Sequence, residues 1–223
     1  MTRAALWRLA LAVVGLAAVL VVVLALISSR GGESSASDGR PAVSLEGIPQ
    51  AGTVLGRPDA PVEIVEFADL QCPFCRQAGT DVVPALIEQW VRPGSVRLRF
   101  VSLSFIGPDS VRGARAATAA GNQNMLWQFI DRTYAIQGPE NGGWLSDRTV
   151  DDIGRTLGLD LVKFDADRRA QASVDAVQGA SREAQQAAVQ STPSFLIRGS
   201  RGTQLLVGVP EQAAITAAIE AVR

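Results

Sequence analysis

From Leu9 to Ile27 the chain reads LALAVVGLAAVLVVVLALI, 19 residues without a charge. At ~1.5 Å per helical residue this run covers about 28 Å, enough to cross a hydrocarbon core once. Arg3 and Arg8 precede it with no acidic residue between them. That asymmetry predicts a cytoplasmic flank over residues 1–8, a signal-anchor over 9–27 and a chain that continues outside the membrane. A cleaved signal peptide is the competing reading. Against it stand the length of the run and the lack of an A-x-A-like site just past Ile27. Either way the remainder is exported. Residues 28–44 (SSRGGESSASDGRPAVS) are rich in Ser and Gly with nothing to bury, and predict a flexible tether. The folded part is expected over residues 45–223.

Beyond the tether the pattern changes period. Val62 to Ala68 (VEIVEFA) is a short β-branched run bounded by Pro61 and Asp69, which predicts a central strand. Arg76 to Val91 places Val82, Val83, Leu86, Ile87 and Trp90 at helical spacing, with Pro84 expected to kink the helix. Val96 to Leu103 (VRLRFVSL) alternates as a second strand. Ser104 to Ala188 reads as helices only: Ser110 to Gly121, Met125 to Ile136, Thr149 to Leu157 and, after Leu161 to Phe164, a polar, Ala-rich helix from about Val174 to Val189. Ser194 to Arg198 and Thr203 to Val209, joined by Gly199-Ser200-Arg201-Gly202, predict a hairpin. Pro210 to Val222 predicts a closing helix with Pro in its first turn. The order β, α, β, helices, β, β, α is that of an α/β domain with a helical insertion at about 104–188.

Charge and composition narrow the chemistry. A net charge of −1 and a pI of about 5.6 leave no basic surplus for a phosphate backbone, so no nucleic-acid partner is expected. Histidine is absent throughout, which removes imidazole-assisted nucleophiles, Cys/His zinc sites and His-ligated haem. The two cysteines, Cys72 and Cys75, stand together as Cys72-Pro73-Phe74-Cys75. As a staple they close too small a loop to add much stability, roughly 2 kcal/mol on the chain-entropy model. As a zinc site they supply two ligands and nothing completes the tetrahedron. Two unrelated free thiols remain as the third bland reading. Redox chemistry fits better, because the strand-to-helix junction puts one sulfur at a helix N-terminus. There, unpaired N–H groups and the helix dipole favour an exposed thiolate. No metal or cofactor is expected.

The segment GRPDAPVEIVEFADLQCPFCRQ, Gly56 to Gln77, resembles the DsbA-like branch of the thioredoxin superfamily. Ser191-Thr192-Pro193-Ser194-Phe195 looks like that family's cis-proline loop, and Leu157-Gly158-Leu159-Asp160 with Phe164 like another of its stretches. The resemblance covers about Gly56 to Val222. It implies a thioredoxin fold with an inserted helical domain, here preceded by one N-terminal transmembrane helix. It also implies that Cys72 is the nucleophile and Cys75 the resolving thiol. Pro193 would be cis, with the backbone of Thr192 beside the sulfurs to pair with an extended substrate. Glu66, six residues before Cys72, matches a buried acid that moves the resolving cysteine's proton; an outward-facing strand carboxylate is the alternative. Phe74 would line an apolar docking groove, while Phe195 fits core packing better. Phe74 stands where some oxidases of the family carry histidine, which implies a milder oxidant. The expected work is donating disulfides to exported thiol proteins, with reoxidation by a quinone-linked membrane partner. A reductase or isomerase using the same site is the nearest alternative, and a non-catalytic thioredoxin-fold binding module is the rival from another class.

Overall fold

The computed structural model describes residues 43–223; the expected flank, signal-anchor and most of the tether lie outside the described residues. Among the described residues no helix is long and apolar enough to cross a membrane. A short hairpin, β1 (Gln50–Ala51) and β2 (Val54–Leu55), leads into β3 (Val62–Asp69). Then come α1 (Pro73–Asp81), the one-turn α2 (Val83–Leu86), a π-helical turn (Ile87–Val91) and β4 (Val96–Leu103). Between β4 and β5 (Ser194–Gly199) the chain forms α3 (Pro108–Gly121), α4 (Leu126–Ala135), α5 (Asp147–Thr156), α6 (Leu161–Arg169) and α7 (Gln171–Gln186). β6 (Gly202–Val207) and α8 (Gln212–Val222) follow.

The sheet order is β1-β2-β4-β3-β5-β6. β3 and β4 are parallel, and the helical segment between them makes the crossover that a parallel pair requires. The other pairings are antiparallel. β3 is covered on both faces. Val62, Ile64 and Ala68 point into the larger core with α1, α4 and α8, while Val65 and Phe67 point into a smaller one under Ala184 of α7. This double burial explains why the strand reads as a nearly unbroken apolar run rather than an alternating one.

Several local expectations are corrected. α1 starts at Pro73, which puts Cys72 at its N-terminus as the strand-to-helix junction implies; the apolar spacing from Arg76 marks only its body, and proline suits the first helical position. The expected kinked helix to Val91 is interrupted instead. α1 stops at Asp81, and the chain restarts at Val83 with Pro84, which has no N–H to donate back. The stretch Leu161–Phe164 opens a helix of its own that continues to Arg169, whose neighbour Arg168 is buried and paired with Asp147, Asp151 and Asp165. α7 begins at Gln171 rather than Val174. Pro210 lies outside α8, which opens at Gln212. The β1–β2 hairpin was not foreseen, since two-residue strands carry no periodicity.

Candidate active site

β3 ends at Asp69, whose buried carboxylate organises the loop that follows. It accepts from the Gln71 N–H at 2.9 Å, the Ser110 hydroxyl at 2.7 Å and the Ile106 N–H at 3.4 Å. The buried Gln71 amide donates to Ser110 Oγ at 2.8 Å, and its carbonyl accepts from the Asn141 N–H at 2.6 Å. Gln137 Nε2 donates to the carbonyls of Leu70 and Cys72, at 2.9 and 3.2 Å. Five side chains from β3, its loop, α3 and the segment after α4 therefore fix the backbone immediately before the cysteines. Apart from Asp69 and Gln71 themselves, the partners are far apart in sequence: Ser110 is 39 residues from Gln71, and Asn141 is 70. In the sequence Asp69 marks only the end of the β3 run, and no local pattern signals the network.

Cys72 caps α1, with φ −70° and ψ 121°, and Pro73 follows at the first helical position. Cys75 lies one turn in, fully buried. Both thiols are reduced. Cys72 Sγ lies 3.6 Å from the carbonyl oxygen of Thr192, and the Thr192–Pro193 peptide is cis. Thr192 is half-buried and Pro193 is buried at the start of β5. The structure thus brings together Cys72, Cys75, Thr192 and Pro193 from segments about 120 residues apart.

Cys72 is only 6% exposed, which corrects the expectation of an open sulfur. The Thr192–Pro193 loop lies against it, and the exposed neighbour is Phe74, at 60%. The cause of its acidity also differs from expectation. The Cys72 thiol is held down to about 6, first by a hydrogen bond from the Cys75 thiol, with smaller help from the Cys75 N–H, the Thr192 side chain and the Phe74 N–H. The helix N-terminus contributes through those two N–H groups, and burial opposes all of it. Cys75 moves the other way, far above the ordinary thiol range. Burial is the main cause; donating its proton toward Cys72 and repulsion by the Cys72 charge add to it.

Glu66 shares a strand face with Ile64 and Ala68, so it points into the larger core that holds Cys75 and Tyr134. It is 2% exposed, and its Oε1 has no protein partner among the described residues. Burial pushes its carboxyl up to about 8. The outward-facing alternative is excluded. Phe195 is fully buried in the core, opposite Glu66 across the β3–β5 ladder. Phe105, on the loop after β4, is exposed to the same 60% as Phe74 and was not picked out from the sequence.

Comparison with known proteins decides the family. Residues 50–219 match the family model described as Thioredoxin. The chain belongs to the thioredoxin family. Within it, the probable disulfide bond formation protein D of Bacillus anthracis is 34% identical over 150 residues, spanning 66% of this chain and 69% of that protein. The disulfide bond formation protein D of Bacillus subtilis is 27% identical over 169 residues, spanning 74% and 72%. The oxidised crystal structure of BdbD from Bacillus subtilis superposes with a TM-score of 0.68 at 23% identity, covering 81% of this chain and 97% of that one; this shows the shared fold. This thioredoxin-family chain is DsbA-like, and it is a protein disulfide oxidoreductase.

Proposed function

We propose that this thioredoxin-family oxidoreductase donates disulfides to exported thiol proteins from the outer face of a membrane, tethered by residues 9–27 through the linker at 28–44. The observation that carries the reading is the pair of neighbouring sulfurs held in opposite ionisation regimes, one acidic at the helix end and one buried and protonated. A substrate thiolate attacks Cys72 of the oxidised pair. The Cys72–Cys75 bond breaks, a Cys72–substrate bond forms, and Cys75 leaves as a thiolate that takes a proton from the Glu66 carboxyl. A second substrate thiol then displaces Cys72, which departs as the stable anion. Phe74 offers an apolar seat beside the sulfur, and the Thr192 backbone next to Pro193 offers an edge for an extended substrate segment.

The magnitudes favour leaving over attack. A thiol lowered from 9 to about 6 is roughly 90% ionised at pH 7, against about 1% before. A Brønsted slope of ~0.45 lowers its intrinsic nucleophilicity about 20-fold, so the net gain in attack is only about fourfold. As a leaving group the same anion gains without that offset. The reduced pair is stabilised by at most about 30 mV at pH 7 through this ionisation, since one decade of equilibrium is 29.6 mV for two electrons. The oxidant is accordingly a mild one, as the absence of a histidine at Phe74 also suggests. Its reoxidation falls to a quinone-linked membrane partner.

The test is covalent trapping in cells with Cys75→Ala, followed by identification of whatever stays joined to Cys72. Recovery of many exported thiol proteins supports donation. Recovery of one electron-carrier protein, together with a potential near roughly −270 mV, overturns it in favour of a reductase.

A further inference from the structure

A cavity of about 40 Å³ lies between β3, α1, α2 and α4. Its wall carries four buried polar atoms that have no protein hydrogen-bond partner among the described residues: Glu66 Oε1, Trp127 Nε1, Gln128 Oε1 and Tyr134 Oη. Such atoms are rare in a folded core, and four on one cavity wall is a concentration that apolar packing does not produce. One water centre needs roughly 10–15 Å³ and two to four polar partners, so the space suits a short chain of two or three waters. Gly79 lines it too, one helical turn after Cys75, and the missing side chain makes room for the Tyr134 ring. A Cβ there would come within 2.9 Å of Tyr134 Cδ2. Toward the surface the lining continues through the partly exposed Gln128 and Asp131.

We propose that this cavity is the proton route of the enzyme: water held by Glu66, Tyr134, Trp127 and Gln128 carries protons between the Glu66 carboxyl and solvent past the Asp131 rim. The proposal rests on the proton-transfer role given to Glu66 above. When substrate opens the Cys72–Cys75 disulfide, Glu66 gives its proton to the Cys75 sulfur, and the carboxylate is refilled through the water chain. On reoxidation Cys75 attacks the mixed disulfide at Cys72, its proton passes to Glu66, and one proton leaves by the same chain. No basic side chain lines the cavity. The titratable groups that line the cavity with Glu66 are Tyr134 and Asp131 from α4, and the charges that act on Tyr134 are those of Cys75 in α1, Glu66, Asp69 and the α1 cap Cys72. All are acids, so a proton, rather than a counter-charge, has to neutralise the carboxylate. Tyr134 and Gln128 are positioning residues here, for they touch the water and not the sulfurs.

The experiment separates the two steps of oxidation of the reduced protein by glutathione disulfide, using rapid acid quench and mass spectrometry across pH 5 to 9. Formation of the Cys72 mixed disulfide is the first step, and its resolution by Cys75 is the second. The double variant Tyr134→Phe/Gln128→Leu, and the isosteric Tyr134→Phe alone, keep the bulk of the wall while removing polar partners. We expect the double variant to slow resolution about tenfold, with Glu66→Gln slowing it about 100-fold, as befits loss of a general acid–base group. The first step should stay at the wild-type rate in both. Resolution at the wild-type rate in the double variant, alongside slow resolution in Glu66→Gln, overturns the route and leaves the role of Glu66 standing. Wild-type resolution in Glu66→Gln overturns that role and the route with it. Equal slowing of both steps by the cavity variants also overturns the route, by showing that the wall only supports the fold.

Discussion

Replacing Glu66 with glutamine should change how stability depends on pH, and the size of the change follows from burial. In the native fold the carboxyl titrates near 8, against an ordinary value of 4.5 that the unfolded chain should show. Between those values the native state holds more protons than the unfolded one, so this group makes stability fall as pH rises. The slope approaches 1.4 kcal/mol per pH unit. From pH 4.5 to 7 the loss is about 3 kcal/mol, and it levels off above pH 8, where both states are ionised. Glutamine does not titrate. Its NH2 adds a constant cost of about 1–3 kcal/mol if it finds no partner, but that cost does not vary with pH. The observable is therefore the difference between variant and wild type. Urea unfolding of both proteins in the oxidised state, where neither thiol titrates, should show the variant gaining about 3 kcal/mol relative to wild type between pH 4.5 and 7, and little more beyond 8. A difference that stays flat over that range would refute the reasoning, because it would mean that the carboxylate ionises in the fold as easily as in water.

The alkylation rate of Cys72 by iodoacetamide should rise with pH through a midpoint near 6 rather than 9, while Cys75 stays unmodified throughout; a midpoint at the ordinary value would remove the thiolate from the mechanism. The same ionisation contributes stability to the reduced protein as pH rises from about 6 to 9, since the unfolded thiol binds the extra proton in that window; it offsets the Glu66 loss up to about pH 8, so urea unfolding of the reduced Glu66→Gln variant should show the rise directly. Asp69→Asn keeps the shape, and its one oxygen can still accept from the Gln71 N–H and the Ser110 hydroxyl, but both bonds lose their charge and the new NH2 faces the Ile106 N–H that had donated to Oδ2. It should cost about 1–3 kcal/mol in urea unfolding, and Ser110→Ala should cost less in the Asp69→Asn background than in wild type.

The redox pair, the strand before it, the hairpin, the closing helix and the Thr-Pro loop were legible in the linear sequence because each is a local pattern: a period of apolar residues, a turn signal or a four-residue motif. Helix boundaries slipped by one to several residues where capping and proline placement decide them, as at Gln171 and Pro210. The face taken by Glu66 was not legible. β3 is buried on both sides, and a strand without polar alternation gives no sign of which way each residue points. The acidity of Cys72 was anticipated, but its main cause was not, since a hydrogen bond from a buried thiol depends on the angle at which two helical positions meet the loop at Thr192. The clamp of Asp69, Gln71, Ser110, Gln137 and Asn141, and the four polar atoms around the Glu66 cavity, exist only once α3 and α4 are folded against β3. Sequence alone put the two thiols together in one four-residue motif. Tertiary structure decided where the charge and the proton sit, because both depend on burial and on partners that approach only when distant segments pack.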